Sequence, residues 1–568
     1  MTEHYAIGID FGTESGRAML VDCADGRELA TAVYPYRNGV IDEHLPLPDG
    51  DVLLEPDWAL QDPDDYLRTL DETIPQLLHD TGADPARVIG VGVDFTACTM
   101  LPTTTDGTPL CRLDRFRRRP HAWVKLWKHH AAQPEADRIN EVASRRGEPW
   151  LPRYGGRISS EWFFAKALQI LDEDPALYAA ADRLIEAADW IVWQLTGAET
   201  RNACTAGYKA MWSRRDGFPS REYFSALDRR FADVVDEKMS RTISPLGGRA
   251  GRLTDEAARR TGLLPDTPVA VANVDAHVSA PAATVTTPGT MVVIMGTSNC
   301  HILLGPGPAL VEGMCGVVED GVVPGLHGFE AGQAAVGDIF AWFAEKCVPG
   351  RRQPQAGSGP GDVHQLLERQ AAALRPGEHG LLALDWWNGN RSVLVDADLG
   401  GLLIGMSLAT SAPEIYRALI EATAFGTRVI IEAFEASGVP VERIVACGGL
   451  PRRNRLLMQI YADVTGRSWS VAASEQAPAL GSAMFAAVAA GAQAGGYGSI
   501  VEAADRMAHL ADEAYRPVPE DAAVYDVLYR EYLRLHDLFG RGGLDTMKTL
   551  RRVRERARAE RRDRTPGS

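Results

Sequence analysis

Two short turns in this 568-residue chain carry residues from which a phosphate cradle can be made. The first is Phe11-Gly12-Thr13-Glu14-Ser15-Gly16, after the apolar run Tyr5-Ala-Ile-Gly-Ile-Asp10. The second is Gly296-Thr297-Ser298-Asn299, after Gly289-Thr-Met-Val-Val-Ile-Met295. Glycine in a tight turn exposes successive backbone N–H groups, and a neighbouring Thr or Ser hydroxyl adds a donor, so such a turn holds phosphate without a lysine. One turn of this kind is an ordinary hairpin. Two, each opening one half of the chain, predict two jaws closing on one polyphosphate. The sequence has no G-x-x-x-x-G-K-[ST] and no G-x-G-x-x-G, which excludes a P-loop nucleotidase and argues against a dinucleotide-binding Rossmann unit.

Asp10 ends the first strand beside the first turn, where a carboxylate either caps the turn or holds Mg²⁺ through water next to the phosphates. A third segment, Pro268-Val-Ala-Val-Ala-Asn-Val-Asp275-Ala-His277, runs a buried strand into an acid that opens a small-residue helix over 277–283. An Asp at that place is an N-cap by default. Beside two phosphate turns it is also the carboxylate that a kinase of an alcohol needs, to accept the hydroxyl proton and aim the oxygen at the γ-phosphorus. A fourth segment, Ala446-Cys-Gly448-Gly449-Leu-Pro-Arg-Arg-Asn454, ends a strand in Gly-Gly and opens a helix at Asn454. Such a turn is either a plain strand-to-helix loop or a place where a flat base or ribose approaches the backbone closely.

The elements that carry these residues follow from periodicity. Strands at 5–10, 17–22 and 28–33 form an antiparallel meander, a helix with period 3.6 covers 64–79, and a buried strand follows at 87–93. Residues 99–102 lead into an Asp106-Gly107 hairpin, and helices are expected at 161–171 and 182–195. Near residue 290 the pattern restarts: strands at 289–295 and 300–304, a long helix over 413–436, strand 443–447, helix 454–465, strand 468–472 and helix 479–490. The two Gly-Thr hairpins predict an internal duplication. The boundary falls at 285–290, giving domains 1–287 and 288–547 and an Arg-rich, flexible tail over 548–568 with nine basic and three acidic residues. The Gly/Pro/Gln-rich stretch 350–361 is expected to be a surface loop.

Composition sets limits on partners. With 59 basic and 76 acidic residues the net charge is −17, so broad attraction to nucleic acid or anionic lipid is not expected. Residues 477–501 carry no charge but are rich in Ala and Gly, which fits a packed small-residue helix better than a membrane span. Eight scattered cysteines without a C-x-x-C read as buried, reduced thiols in a cytoplasmic protein. The N-terminus, with Glu3 and Asp10 around a short apolar stretch, is no signal peptide.

In order, Asp10-Phe-Gly-Thr13, Asp275, Gly296-Thr-Ser298 and Gly448-Gly449 match the motifs of the FGGY carbohydrate kinases, and the resemblance covers about 5–540. It implies an α/β fold of two actin-like, ribonuclease-H-like domains, each a mixed sheet flanked by helices, with ATP in the cleft between them. Several segments are similar to the branch of that family that acts on L-ribulose: Val93-Asp-Phe-Thr-Ala97, Leu126-Trp-Lys128, Ala206-Gly-Tyr-Lys209, Phe329-Glu-Ala-Gly-Gln333 and Leu384-Asp-Trp-Trp-Asn-Gly389. That likeness implies ATP- and Mg²⁺-dependent phosphorylation of L-ribulose at O5 in L-arabinose catabolism. It puts Ala97, Trp127, Lys209, Asp275 and Glu330 around the sugar and Asp275 as the base. Gly12, Thr13, Ser15, Gly296, Thr297 and Ser298 would lie at the phosphates, and Gly448, Gly449 and Asn454 at the base of the nucleotide. His129 stands where many relatives have an acid, and Phe95 where some have Ser. A homodimer is the family-level expectation. A sister kinase of xylulose, glycerol or another polyol is the alternative activity, and a non-catalytic ATP-binding sensor the alternative class.

Overall fold

The computed structural model describes residues 3–48, 52–348 and 361–563. The expected loop at 350–361 falls almost entirely outside them. Two sheets repeat one topology. In the first, strands run in the order Arg249–Arg252, Pro268–Ala270, Val88–Phe95, Tyr5–Phe11, Ser15–Asp22, Glu28–Pro35, with Asn273–Val274 pairing Val88–Phe95 as well. In the second the order is Gly316–Glu319, His327–Gln333, Asn299–Gly305, Thr290–Met295, Arg443–Cys447, Trp469–Ala472, Leu510–Tyr515. Each core is three antiparallel strands whose first pairs in parallel with a later one: Tyr5–Phe11 with Val88–Phe95, and Thr290–Met295 with Arg443–Cys447; in the second, Gly316–Glu319 lies outside His327–Gln333 at the edge. The duplication expected from the two hairpins is therefore present in the sheets.

Most expected elements lie within two or three residues of their places, including Pro63–Thr81, Ala412–Ala436 and Ala477–Ala490. The exception is the helix expected over 182–195. Its first turn is instead a strand, Arg183–Glu186, antiparallel to Met100–Thr103, and the helix is Ala187–Thr196. Leu184 and Ile185 are both fully buried, and pairing with a neighbouring strand overrides the local helical pattern. The tail, expected to be flexible, is helical from Thr546 to Asp563, and its first turns contact the body through Lys548–Asp396 (2.7 Å) and an Arg551 Nη1–H donated to the Ala397 carbonyl (2.7 Å).

The uncharged segment Ala477–Ala490 is the helix on which the two halves meet. It lies against Tyr5–Phe11 and Val88–Phe95 of the first sheet and against the helix Asp275–Ala282. That approach depends on small residues. A Cβ on Gly8 would come within 1.8 Å of the Ala479 carbonyl oxygen, and one on Gly92 within 2.0 Å of that of Ser482. Among the described residues no helix is long and apolar enough to cross a membrane.

Candidate active site

Asp10, Asp94 and Asp275 sit at or just past the ends of parallel strands, where backbone ladders stop and side chains converge. Asp10 and Asp94 are cross-strand partners, and Asn273 pairs with Asp94 from the other side, which delivers Asp275 two residues later. Asp10 and Asp94 are both buried and both pushed up by burial, and Asp94 Oδ1 has no hydrogen-bond partner among the described residues. Arg17 Nε stands 3.5 Å from Asp10 and opposes that rise. The Ser482 hydroxyl, from the shared helix, donates to Asp94 at 2.6 Å.

Asp275 opens its helix as expected, and its Oδ1 accepts the Ala276 N–H at 2.6 Å. Burial raises its carboxyl, Asp10 adds to the rise, and the Ala276 N–H opposes it, leaving the group at about 7. A carboxylate tuned there is half ionised near neutrality, which suits a general base. If Asp275 is that base, kcat/KM falls about tenfold per pH unit below about 7 and levels off above it, because only the ionised form accepts a proton. A coupled assay from pH 5.5 to 8.5 checks this. A profile flat across that range would remove Asp275 from the proton-accepting role.

Lys209 and Glu330 come from opposite halves of the chain and meet. Lys209 Nζ donates to both Glu330 carboxylate oxygens at 2.9 and 2.8 Å, and the two side chains are 5% and 2% exposed. Burial alone would raise Glu330, but Lys209, then Arg391 and His277, pull it down to about 2. Burial likewise pulls Lys209 down, and Glu330 more than reverses it, so the ammonium is held above its ordinary range. His277, kept neutral by burial, stands 3.5 Å from Glu330, and both of its ring nitrogens lack a hydrogen-bond partner. Of the residues expected around the sugar, Glu330 comes from the second half of the chain and meets Lys209 of the first.

The two Gly-Thr turns differ from expectation in which atoms are free. Gly12 N–H donates to the Ser15 carbonyl and Gly296 N–H to that of Ser298, both at 3.0 Å, so each glycine closes its own turn. The Thr13 and Thr297 N–H groups make no such bond within the turns. Trp127 Nε1–H donates to Thr13 Oγ1 at 3.0 Å, and Gln61 holds the Thr13 carbonyl at 2.7 Å, which ties a sugar-segment residue to the first turn. Gly448, at φ +97°, lies so near the second turn that a Cβ would come within 2.5 Å of the Met295 carbonyl oxygen. Gly449 faces open space and starts a one-turn helix, Gly449–Arg453. Asn454 Oδ1 accepts the Leu457 N–H at 2.8 Å as the N-cap of Arg455–Thr465, so that oxygen is committed to the helix. Ala97 is half-buried beside Cys98, whose φ is +60°.

The two departures lie in the core. His129 is fully buried, accepts the Ala59 N–H on Nδ1 and bonds Gln169 through Nε2 at 2.9 Å. Phe95 stacks on Phe11 at 4.8 Å. The cysteines are all unpaired, but Cys347 is exposed and Cys300 and Cys315 are half-buried, against the expectation that all are buried.

Family comparison agrees with this layout. Residues 5–281 match the N-terminal domain of the FGGY family of carbohydrate kinases and residues 291–490 its C-terminal domain. The chain belongs to the FGGY carbohydrate kinases. It is 59% identical to a ribulokinase of Anoxybacillus flavithermus over 98% of this chain and 99% of that one. It is 54% identical to a ribulokinase of Mycolicibacterium smegmatis over 99% and 98%. In fold it resembles xylulose kinase from Rhodospirillum rubrum (TM-score 0.74, 24% identity, covering 94% of this chain and 98% of that one). It also resembles Plasmodium falciparum glycerol kinase with ADP (TM-score 0.72, 13% identity, 94% and 98%). The actin-like sugar-kinase architecture inferred from motifs is the one these FGGY kinases share.

Sequence reasoning passed over Arg391, whose guanidinium reaches Glu330 at 2.5 Å, and Asp94. Asp94 sat inside a segment singled out for its family likeness, and Arg391 lay two residues beyond another. Asp94 meets Asp10 through strand pairing and Arg391 meets Glu330 through a loop tied to Gly332, neither of which a linear motif displays.

Proposed function

We propose that this FGGY kinase transfers the γ-phosphoryl group of ATP to O5 of L-ribulose, giving L-ribulose 5-phosphate and ADP. For the reaction type, the observation that carries the reading is Asp275, a buried carboxyl tuned to about 7 at the start of a helix. Its field is dominated by Asp10 on the phosphate side and by Glu330 and Lys209 on the sugar side. For the substrate, support comes from full-length likeness to several ribulokinases at 53–59% identity.

In this reading Asp275 accepts the O5 proton as O5 attacks the γ-phosphorus, and the bond to the β–γ bridging oxygen breaks to release ADP. Lys209 and Glu330 orient sugar hydroxyls, Trp127 walls the sugar, and Ala97 leaves room for it. Thr13 and Thr297, with Ser15 and Ser298, supply donors to the phosphates, and Gly12 and Gly296 shape the turns. Gly448 and Gly449 let the nucleoside approach the backbone, with Asn454 fixing the helix behind them. The paired buried carboxyls of Asp10 and Asp94 suit a hard cation with oxygen ligands, so Asp10 would hold Mg²⁺ through water. The ion would neutralise charge on the transferring phosphoryl group. Unpaired cysteines throughout the chain fit a cytoplasmic setting.

The test is coupled ADP release with L-ribulose, D-ribulose, xylulose, ribitol, L-arabitol and glycerol, and with no sugar. Highest kcat/KM on L-ribulose is expected, with a sugar-free rate that is a small fraction of it. Preference for xylulose or glycerol would favour a sister kinase, and a high sugar-independent rate would favour an ATP-binding sensor.

A further inference from the structure

Arg391 has no part in the reading above, yet the chain goes to some length to place it. It lies in the loop after the strand Leu382–Leu384. Asn390 and Asp396 exchange backbone hydrogen bonds of 2.9 Å across that loop, and Asn390 Oδ1 accepts the Leu394 N–H at 2.9 Å. Next to Arg391, the Ser392 hydroxyl accepts the Gly332 N–H at 3.2 Å, which fastens the loop to the strand that carries Glu330. Its stem lies flat over that strand: a Cβ at Gly332 would come within 3.0 Å of Arg391 Cδ and Nη1. Only a residue without a side chain permits this crossing.

The guanidinium is used on one side only. Nη2–H donates to Glu330 Oε1 at 2.5 Å, while Nε and Nη1 make no hydrogen bond with the described residues. Glu330 is 2% exposed and Arg391 32%, so the fork is anchored at a buried carboxylate and its remaining N–H groups are open to solvent beside the sugar site. A fork held by one leg offers its other donors in a fixed direction. Guanidinium donates and never accepts, so its best partner is an oxygen that only accepts. A ketose has one such oxygen, the carbonyl at C2, and the corresponding pentitol has a hydroxyl there instead.

We propose that Arg391 is a specificity-determining residue of the sugar site: one N–H pins Glu330, and its free N–H groups donate to the carbonyl oxygen of a bound 2-ketose. This rests on the kinase reading but predicts a different quantity, the preference for a ketose over its pentitol.

The experiment compares wild type, Arg391→Gln and Arg391→Lys on L-ribulose and L-arabitol, with KM for ATP and the melting temperature measured alongside. Arg391→Gln is expected to raise KM for L-ribulose roughly 10–150-fold, the range for losing a hydrogen bond from a charged group. KM for the pentitol should rise clearly less, and KM for ATP should stay within about threefold. Arg391→Lys keeps the charge near Glu330 but not the fork, so it should recover melting temperature more than ketose preference. Equal losses on ketose and pentitol in a folded variant would show that Arg391 only supports Glu330, and would overturn the proposal. So would an unchanged KM for L-ribulose. If Gln does not fold, the Lys variant decides by the same ratio. Should wild type prefer another ketose, the kinase reading loses its substrate, and Arg391 is then judged on that ketose and its own pentitol.

Discussion

Asp275→Asn is expected to retain binding of ATP and sugar and to lose turnover by roughly 10²–10⁴-fold, the span of a general-base contribution. Amide and carboxylate have nearly the same shape, so the Ala276 N–H keeps an acceptor and the helix start is preserved. Proton acceptance and charge are what change. The same substitution has a second signature. The carboxyl at about 7 lies above the ordinary Asp value of 3.8 in an unfolded chain, so the folded state binds more protons between those values. Its contribution to stability is complete below about 3.8 and is lost as pH rises through about 7. Removing the titration should therefore raise the melting temperature of the ligand-free protein at pH 8 and leave it little changed near pH 4. Single-turnover kinetics and calorimetric binding test the first claim, and thermal scans at the two pH values the second. Near-wild-type kcat would sink the assignment.

Glu330→Gln should be more damaging than Lys209→Met, although each removes one partner of the same buried pair. Without Lys209, Glu330 still has Arg391 at 2.5 Å and His277 at 3.5 Å. Without the Glu330 carboxylate, Lys209 and Arg391 are two cations that have lost their common counter-charge. Breaking a buried pair from one side costs about 3–5 kcal/mol. We expect the Gln variant near the upper end in urea unfolding and the Met variant near the lower. Both should raise KM for the sugar about 10–150-fold, with KM for ATP changed far less. Acid should act the same way. Glu330, held at about 2 against an ordinary 4.5, contributes stability above about 4.5 that is lost as pH falls through about 2. If Lys209→Met proves the more destabilised of the two, the charge balance drawn here is wrong.

The Gly-Thr turns and the acid at a helix start were legible in the sequence because each is local: a strand, a glycine or an acid, and a helix start. The sequence also carried the duplication, since both meanders repeat the same alternation and turn. It was silent on relations across the sheets. Gln333, in a segment noted for its likeness to the L-ribulose branch, is spent in the core: its amide donates to Asp385 and to the Thr423 carbonyl, both at 2.8 Å, and its Oε1 accepts from Asn299 and Thr427. Likeness of segment did not separate Glu330 from Gln333, three residues apart on one strand. Strand geometry did, because odd spacings point to opposite faces. The arginine tail shows the same limit: its composition is that of a solvated end, and nothing in it points to Asp396 and Asp398, the two acids on a distant loop that Lys548 and Arg551 meet.

The helix Ala477–Ala490 has a bearing on how the chain is made. It is synthesised about four hundred residues after the strands Tyr5–Phe11 and Val88–Phe95 that it covers. Until it leaves the ribosome, one face of the first sheet is without its cover, with Gly8, Gly90 and Gly92 offering bare backbone where the helix will sit. The first half can therefore form its meander early but completes its core only when nearly the whole chain is out. A fragment of residues 1–287 should then express as an aggregating or loosely packed species, and adding 288–568 as a separate chain should restore solubility. Limited proteolysis of nascent chains stalled at 300 and at 550 residues reads the same event: protection of the first half should appear only in the longer chain.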